Sequence, residues 1–133
     1  MKTLFADTFY FLALLNRADR QHARAKLYSA GLGVKIVTTA WVLTELGDAM
    51  CSVRSRSGFS TVLDVISTDP DIEICPADEA TWQAGVTLYR TRPDKEWSLT
   101  DCISFAVMQQ RNLSEALTGD HHFEQAGFAA VLK

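Results

Sequence analysis

Short runs of apolar and β-branched residues alternate with longer runs of helical spacing from one end of the chain to the other. Residues 3–6, 34–38, 72–75, 115–120 and 128–132 read as strands, because they are short, apolar and bounded by turn or cap residues. Between them lie blocks of helical spacing. Residues 9–16 are dense in Phe, Tyr, Leu and Ala, and Asp19 can cap a second helix that runs to about residue 30. Thr39-Ala40 opens a third helix, and residues 59–67 continue in helical spacing. Asp78-Glu79 is an acidic helix start favoured by the macrodipole. Ser98 or Thr100 caps a last, largely apolar helix. Gly31-Leu32-Gly33, the basic break at residues 54–58 and Asp69-Pro70-Asp71 punctuate the pattern. Such alternation implies an α/β sandwich with a mainly parallel central sheet, right-handed crossovers and flanking helices. With 133 residues and no repeat or linker, the chain reads as one domain over residues 1–133.

Composition narrows the partners. A net charge of −3 excludes a polybasic glove for nucleic acid, while leaving room for a local basic rim. Cys51, Cys75 and Cys102 are dispersed and odd in number, which fits neither a disulfide framework nor a structural zinc site and suggests a reducing cytoplasm. The first residues do not read as a secretory signal, and no apolar run is long enough to span a bilayer, so no membrane role is expected.

The chemistry is carried by acids at element boundaries. Asp7 ends the first strand and Asp120 ends a later one. Asp101 lies in the first turn of the helix that feeds the later strand, and Glu45 sits in the helix after the second strand. In an open parallel sheet, ligands bind beyond the carboxyl ends of the strands. If the first and later strands are neighbours, the four acids converge there. Two carboxylates ~5 Å apart at an effective dielectric near 20 repel by about 3 kcal/mol. Such a cluster calls for hard divalent ions such as Mg2+ or Mn2+, which activate water and stabilise displacement at phosphorus.

Four stretches resemble the PIN-domain ribonucleases, and most closely the VapC-like toxins of prokaryotic toxin–antitoxin pairs. They are Ala6-Asp7-Thr8, Thr44-Glu45-Leu46, the segment 94–102 that contains Trp97-Ser98-Leu99-Thr100-Asp101-Cys102, and Leu117-Thr118-Gly119-Asp120-His121-His122-Phe123 followed by Gly127-Phe128. The resemblance implies a PIN-like three-layer sandwich and a Mg2+- or Mn2+-dependent ribonuclease. It implies that Asp7, Glu45, Asp101 and Asp120 form the catalytic quartet, with Asp7, Asp101 and Asp120 holding metal. Thr8 and Thr118 match supporting hydroxyl positions. The expected partners are an RNA substrate, a small antitoxin and a second copy of the chain as a homodimer, in the cytoplasm.

Other readings fit less well. A phosphatase of the haloacid dehalogenase type needs Asp-x-Asp after the first strand, and here Asp7 is followed by Thr8-Phe9. A phospho-receiver needs an acceptor aspartate after a middle strand, where Cys75-Pro76 stands. The alternative from another class is a nonenzymatic RNA-binding or protein-interaction module of the same fold. Adjacent His121 and His122 read as a surface pair flanking the site, since neighbours on a turn point different ways and no third nitrogen or sulfur ligand is suitably spaced. Among the basic residues, Arg54 and Arg56 in the polar break are the best candidates for RNA phosphate contacts.

Overall fold

A computed structural model describes residues 2–31 and 33–133; Met1, and Leu32 at the centre of the Gly31-Leu32-Gly33 stop, lie outside the described residues. In chain order the elements are β1 (Lys2–Ala6), α1 (Thr8–Leu15), α2 (His22–Ser29), β2 (Val34–Thr39), α3 (Ala40–Ala49), α4 (Arg56–Thr68), β3 (Ile72–Cys75), α5 (Glu79–Thr91), α6 (Leu99–Gln110), β4 (Glu115–Leu117), α7 (His121–Gln125) and β5 (Ala129–Ala130). The five strands form one sheet in the order β3-β2-β1-β4-β5, with every pairing parallel.

The sheet is covered on both faces, because successive strand residues point to opposite sides. Ile36 of β2 and Ile72 of β3 line one cavity with Tyr10, Phe11 and Leu14 of α1, Tyr28 of α2, and Val62 and Ile66 of α4. The opposite face carries Thr3, Lys35, Val37 and Glu73, which adjoin Arg111 and Leu113 at the end of α6. Arg111 makes a two-pronged ion pair with Glu73 there. Helix α6 is buried at every position from Asp101 to Met108, as a helix wedged between a sheet and a second helix must be. Its close partner is α5, where Gly85 makes the approach possible. A Cβ at that position would stand 2.3 Å from Ile103 Cγ1 and 3.0 Å from Ile103 Cα.

Strand order decides where chemistry can occur. The chain steps from β1 to β2 to β3 on one side, then crosses back to place β4 on the other side of β1. The carboxyl ends of β1 and β4 therefore flank the point where the winding reverses, the crevice in which open parallel sheets bind ligands. An aromatic column lies under that edge. Phe123 stands 4.9 Å from Phe105 and 6.4 Å from Phe5, and Phe105 stands 5.1 Å from Trp97, ring centre to ring centre. It joins the end of β1, the middle of α6 and α7, so that it ties together the element that Asp7 follows, the one that bears Asp101 and the one that Asp120 caps.

Several boundaries differ from the sequence expectation. Asp19 does not cap α2 directly; its Oδ1 accepts from the Gln21 amide at 2.8 Å within a turn, and the helix begins at His22. The polar break is shorter than its composition suggests, since Arg56 to Gly58 already form the first turn of α4. Strand β4 stops at Leu117 rather than at Gly119-Asp120, because the Thr118 amide folds back onto the Ala116 carbonyl. The expected last strand over 128–132 is regular only at Ala129–Ala130. Beyond it the amides of Val131 and Leu132 still donate to Ala116 and Thr118 at 3.0 Å, so the chain follows β4 without strand regularity.

Candidate active site

Asp7 follows β1 in extended backbone and occupies the N-cap position of α1, yet its side chain makes no cap bond. Instead, Asp7 Oδ2 accepts from the Thr118 hydroxyl at 3.0 Å, a bond between the ends of β1 and β4. A carboxylate that merely capped the helix would accept from the second or third amide of its first turn, that of Phe9 or Tyr10. Asp7 is 5% exposed, and no lysine or arginine pairs with it among the described residues. Burial, and then the nearby Asp101, push its pKa up to about 7, against the opposing pull of the Thr8 amide and the Thr118 hydroxyl.

Asp101 is held by a capping box. The Ser98 hydroxyl accepts from the Asp101 amide at 3.0 Å, and the Ser98 amide donates to Asp101 Oδ2 at 3.2 Å. The cap is therefore Ser98, not Thr100. Burial first, and Asp120 in part, raise the Asp101 pKa. Glu45 lies on α3, which Thr39 starts by accepting from the Val42 amide. The Thr8 hydroxyl donates to Glu45 Oε1 at 2.5 Å, and Glu45 adds to the charge around Asp7. Asp120 caps α7, its Oδ1 accepting from the His122 amide at 2.9 Å. Gly119 lets this corner close on α1, since a Cβ there would stand 2.6 Å from Phe9 Cζ.

A common design emerges. In each acid, one carboxylate oxygen takes its hydrogen bonds from a hydroxyl, an amide or an imidazole, and among the described residues no side-chain donor reaches the other oxygen. Neither lysine nor arginine pairs with any of the four among the described residues. The structure thus brings Asp7, Glu45, Asp101 and Asp120 together, with Thr8 and Thr118 as the hydroxyls that hold Glu45 and Asp7. Four acids left without cationic side chains, with oxygens to spare, fit hard divalent ions.

The histidines depart from expectation. His122 is not a bystander: its Nδ1 lies 3.2 Å from Asp101 Oδ2 and 3.5 Å from Asp120 Oδ1. No sequence signal gave this, because the approach of His122 to the two acids follows the Asp120 cap bond, which exists only once α7 has formed. Arg54 and Arg56 are exposed and make no ion pair with the four acids. Arg56 Nη1 is occupied with the Cys51 carbonyl at 3.1 Å.

A family model described as PIN domain matches residues 4–129. The chain is 31% identical over 136 aligned positions to the 23S rRNA-specific endonuclease VapC20 of Mycobacterium tuberculosis, covering 96% of this chain and 97% of that protein. Against the crystal structure of Mycobacterium tuberculosis VapC20, a Sarcin-Ricin loop cleaving toxin, the TM-score is 0.83 at 22% identity, covering 95% of this chain and 96% of that one. VapBC2 from Rickettsia felis, solved bound to a DNA fragment from their promoter, gives a TM-score of 0.70 at 13% identity, with 96% of each chain covered. FitAcB from Neisseria gonorrhoeae gives 0.64 at 20% identity, covering 96% of this chain and 94% of that one. These structural likenesses bear on the fold.

Proposed function

Because this chain belongs to the PIN-domain family, we propose that it is a metal-dependent ribonuclease that hydrolyses RNA phosphodiester bonds, the toxin of a toxin–antitoxin pair. The observation that carries this function is the acid cluster at the β1–β4 edge, in which each carboxylate is fixed by one oxygen and none is neutralised by lysine or arginine among the described residues.

Asp7, Asp101 and Asp120 are the residues we assign to hold Mg2+ or Mn2+. A divalent ion bound there would polarise a phosphoryl oxygen and make water acidic enough to attack near neutral pH. The protein's own part is orientation and charge. Thr118 locks Asp7, Ser98 locks Asp101 and the start of α7 locks Asp120, so the three carboxylates are aimed before substrate arrives. To Glu45, held by Thr8 and only half-buried, we assign the acceptance of a proton from the attacking water. Attack in line at phosphorus leaves a 5′-phosphate and a 3′-hydroxyl.

The sequence relative is named for 23S rRNA, which makes structured ribosomal RNA the first substrate to try. A small antitoxin, a homodimeric assembly and a cytoplasmic setting belong to the same proposal. No helix among the described residues is long and apolar enough to cross a membrane.

The test is to incubate the pure protein with a panel of RNAs that includes ribosomal RNA, in Mg2+, in Mn2+ and in chelator, and to map the cut ends. Cleavage in metal alone with 5′-phosphate ends is expected. Cyclic-phosphate ends, or full activity in chelator, would contradict the mechanism. Binding without cleavage in any metal would favour the nonenzymatic module.

A further inference from the structure

His121 and His122 do not diverge as neighbours on a turn are expected to. Their ring centres lie 4.4 Å apart, with the rings tilted by 51°. Both Nδ1 atoms face the same oxygen: His121 Nδ1 is 3.6 Å and His122 Nδ1 is 3.5 Å from Asp120 Oδ1. Among the described residues, Asp120, His121 and His122 are the one trio whose ligand atoms all lie within 4.8 Å of one another. The trio named from sequence, Asp7, Asp101 and Asp120, is more open than that.

Two further facts favour a cation. Adjacent ligands around an octahedral ion with bonds of ~2.1 Å stand about 3 Å apart, so spacings of 3.5 and 3.6 Å need only a small closure. The position is also graded from solvent inward, since the His121 side chain is 66% exposed and that of His122 is 20% exposed. His122 Nδ1 also lies 3.2 Å from Asp101 Oδ2, so an ion bound there takes the place of the proton that this nitrogen shares with Asp101, which leaves as the ion binds.

We propose that Asp120, His121 and His122 form a mixed nitrogen–oxygen site for a divalent transition ion, which makes this end of the cluster select Mn2+ over Mg2+; the inference rests on the metal-dependent function proposed above. Mg2+ is a hard ion served by oxygen and water and gains little from imidazole, whereas first-row transition ions accept nitrogen donors. Two imidazoles beside one carboxylate therefore tilt the preference. Asp120 is already fixed as a helix cap, so the oxygen ligand is oriented in advance.

The experiment uses the full chain stripped of metal by chelator. Mn2+ binding is read from the loss of the free-ion electron paramagnetic resonance signal, Mg2+ binding by competition, and the ligand type by pulsed resonance of the bound Mn2+. Wild type should bind Mn2+ about tenfold more tightly than Mg2+ and show nitrogen hyperfine coupling. The double variant His121→Asn with His122→Asn should lose the coupling and about tenfold in Mn2+ affinity, with a much smaller fall in Mg2+ affinity. Absence of nitrogen coupling in wild type would overturn the site without involving any variant. Equal weakening of both ions would overturn it too, by showing that the histidines only position the carboxylates. RNA cleavage in metal alongside either result would leave the enzymatic function standing. Failure of wild type to bind either ion would overturn both.

Discussion

Asp7 carries the largest electrostatic cost in the site, and its pH behaviour follows from that. Its pKa is pushed up to about 7 in the folded protein, chiefly by burial and then by Asp101. The unfolded chain releases this proton near pH 4. The contribution of Asp7 to stability is therefore fully present below about pH 4 and is lost as pH rises through about 7. In chelator, wild type should unfold at lower denaturant at pH 8 than at pH 5, by roughly 2–3 kcal/mol from this group. Asp7→Asn should remove most of that dependence while abolishing RNA cleavage; a mutant with the wild-type slope would show that Asp7 is not the group responsible. Ser104 makes a second case at this scale. Its hydroxyl is fully buried and has no hydrogen-bond partner among the described residues. Ser104→Ala should leave the urea midpoint unchanged or raise stability by up to about 1 kcal/mol, and a clear fall would reveal a partner for the hydroxyl. The placement of the acids was legible in sequence because each interrupts an apolar run at an element boundary. The role of His122 was not, because the direction of adjacent side chains depends on a cap bond that forms only once α7 exists.

Helices α5 and α6 depend on a single small residue at their crossing. Gly85→Ala would drive a methyl group into Ile103, and overpacking of this kind costs about 1–3 kcal/mol. Chemical denaturation should show that loss. Adding Ile103→Ala should make the pair less costly than the sum of the single changes, since the closest clash goes with the Ile103 Cγ1 atom while only the 3.0 Å approach to Ile103 Cα stays. Additive effects would place the strain elsewhere. The order of elements was legible because period and punctuation are local properties. Element lengths were less so. Arg56 to Gly58 read as a break from composition, but they belong to α4, and nothing in Arg, Ser or a single half-buried Gly forbids a helical first turn. The true ends of β4 and β5 depend on which neighbour their amides find, and that is a property of the sheet.

At the scale of the whole molecule, the sheet order sets β1 between β2 and β4 and so gathers four acids from distant parts of the chain at one edge. Parallel order was legible from the alternation of strands and helices; the position of β1 at the centre was not, since nothing local states which strands pair. Leu12, Leu15, Leu27, Val65 and Tyr89 are large apolar side chains left exposed, which accords with the proposed self-association. Light scattering at tens of micromolar should find a dimer, and a strict monomer would count against it. The central claim is that the clustered acids repel one another until a divalent ion joins them. Its most direct measurement is a set of melting curves for wild type, Asp101→Asn and Asp120→Asn, each in chelator and in about millimolar Mg2+ or Mn2+. Asparagine preserves shape and can still cap a helix, so only charge is removed. In chelator both mutants should melt at or above wild type, and metal should raise the wild-type midpoint far more than theirs. Mutants that melt well below wild type in chelator, or that gain as much from metal as wild type does, would contradict the account.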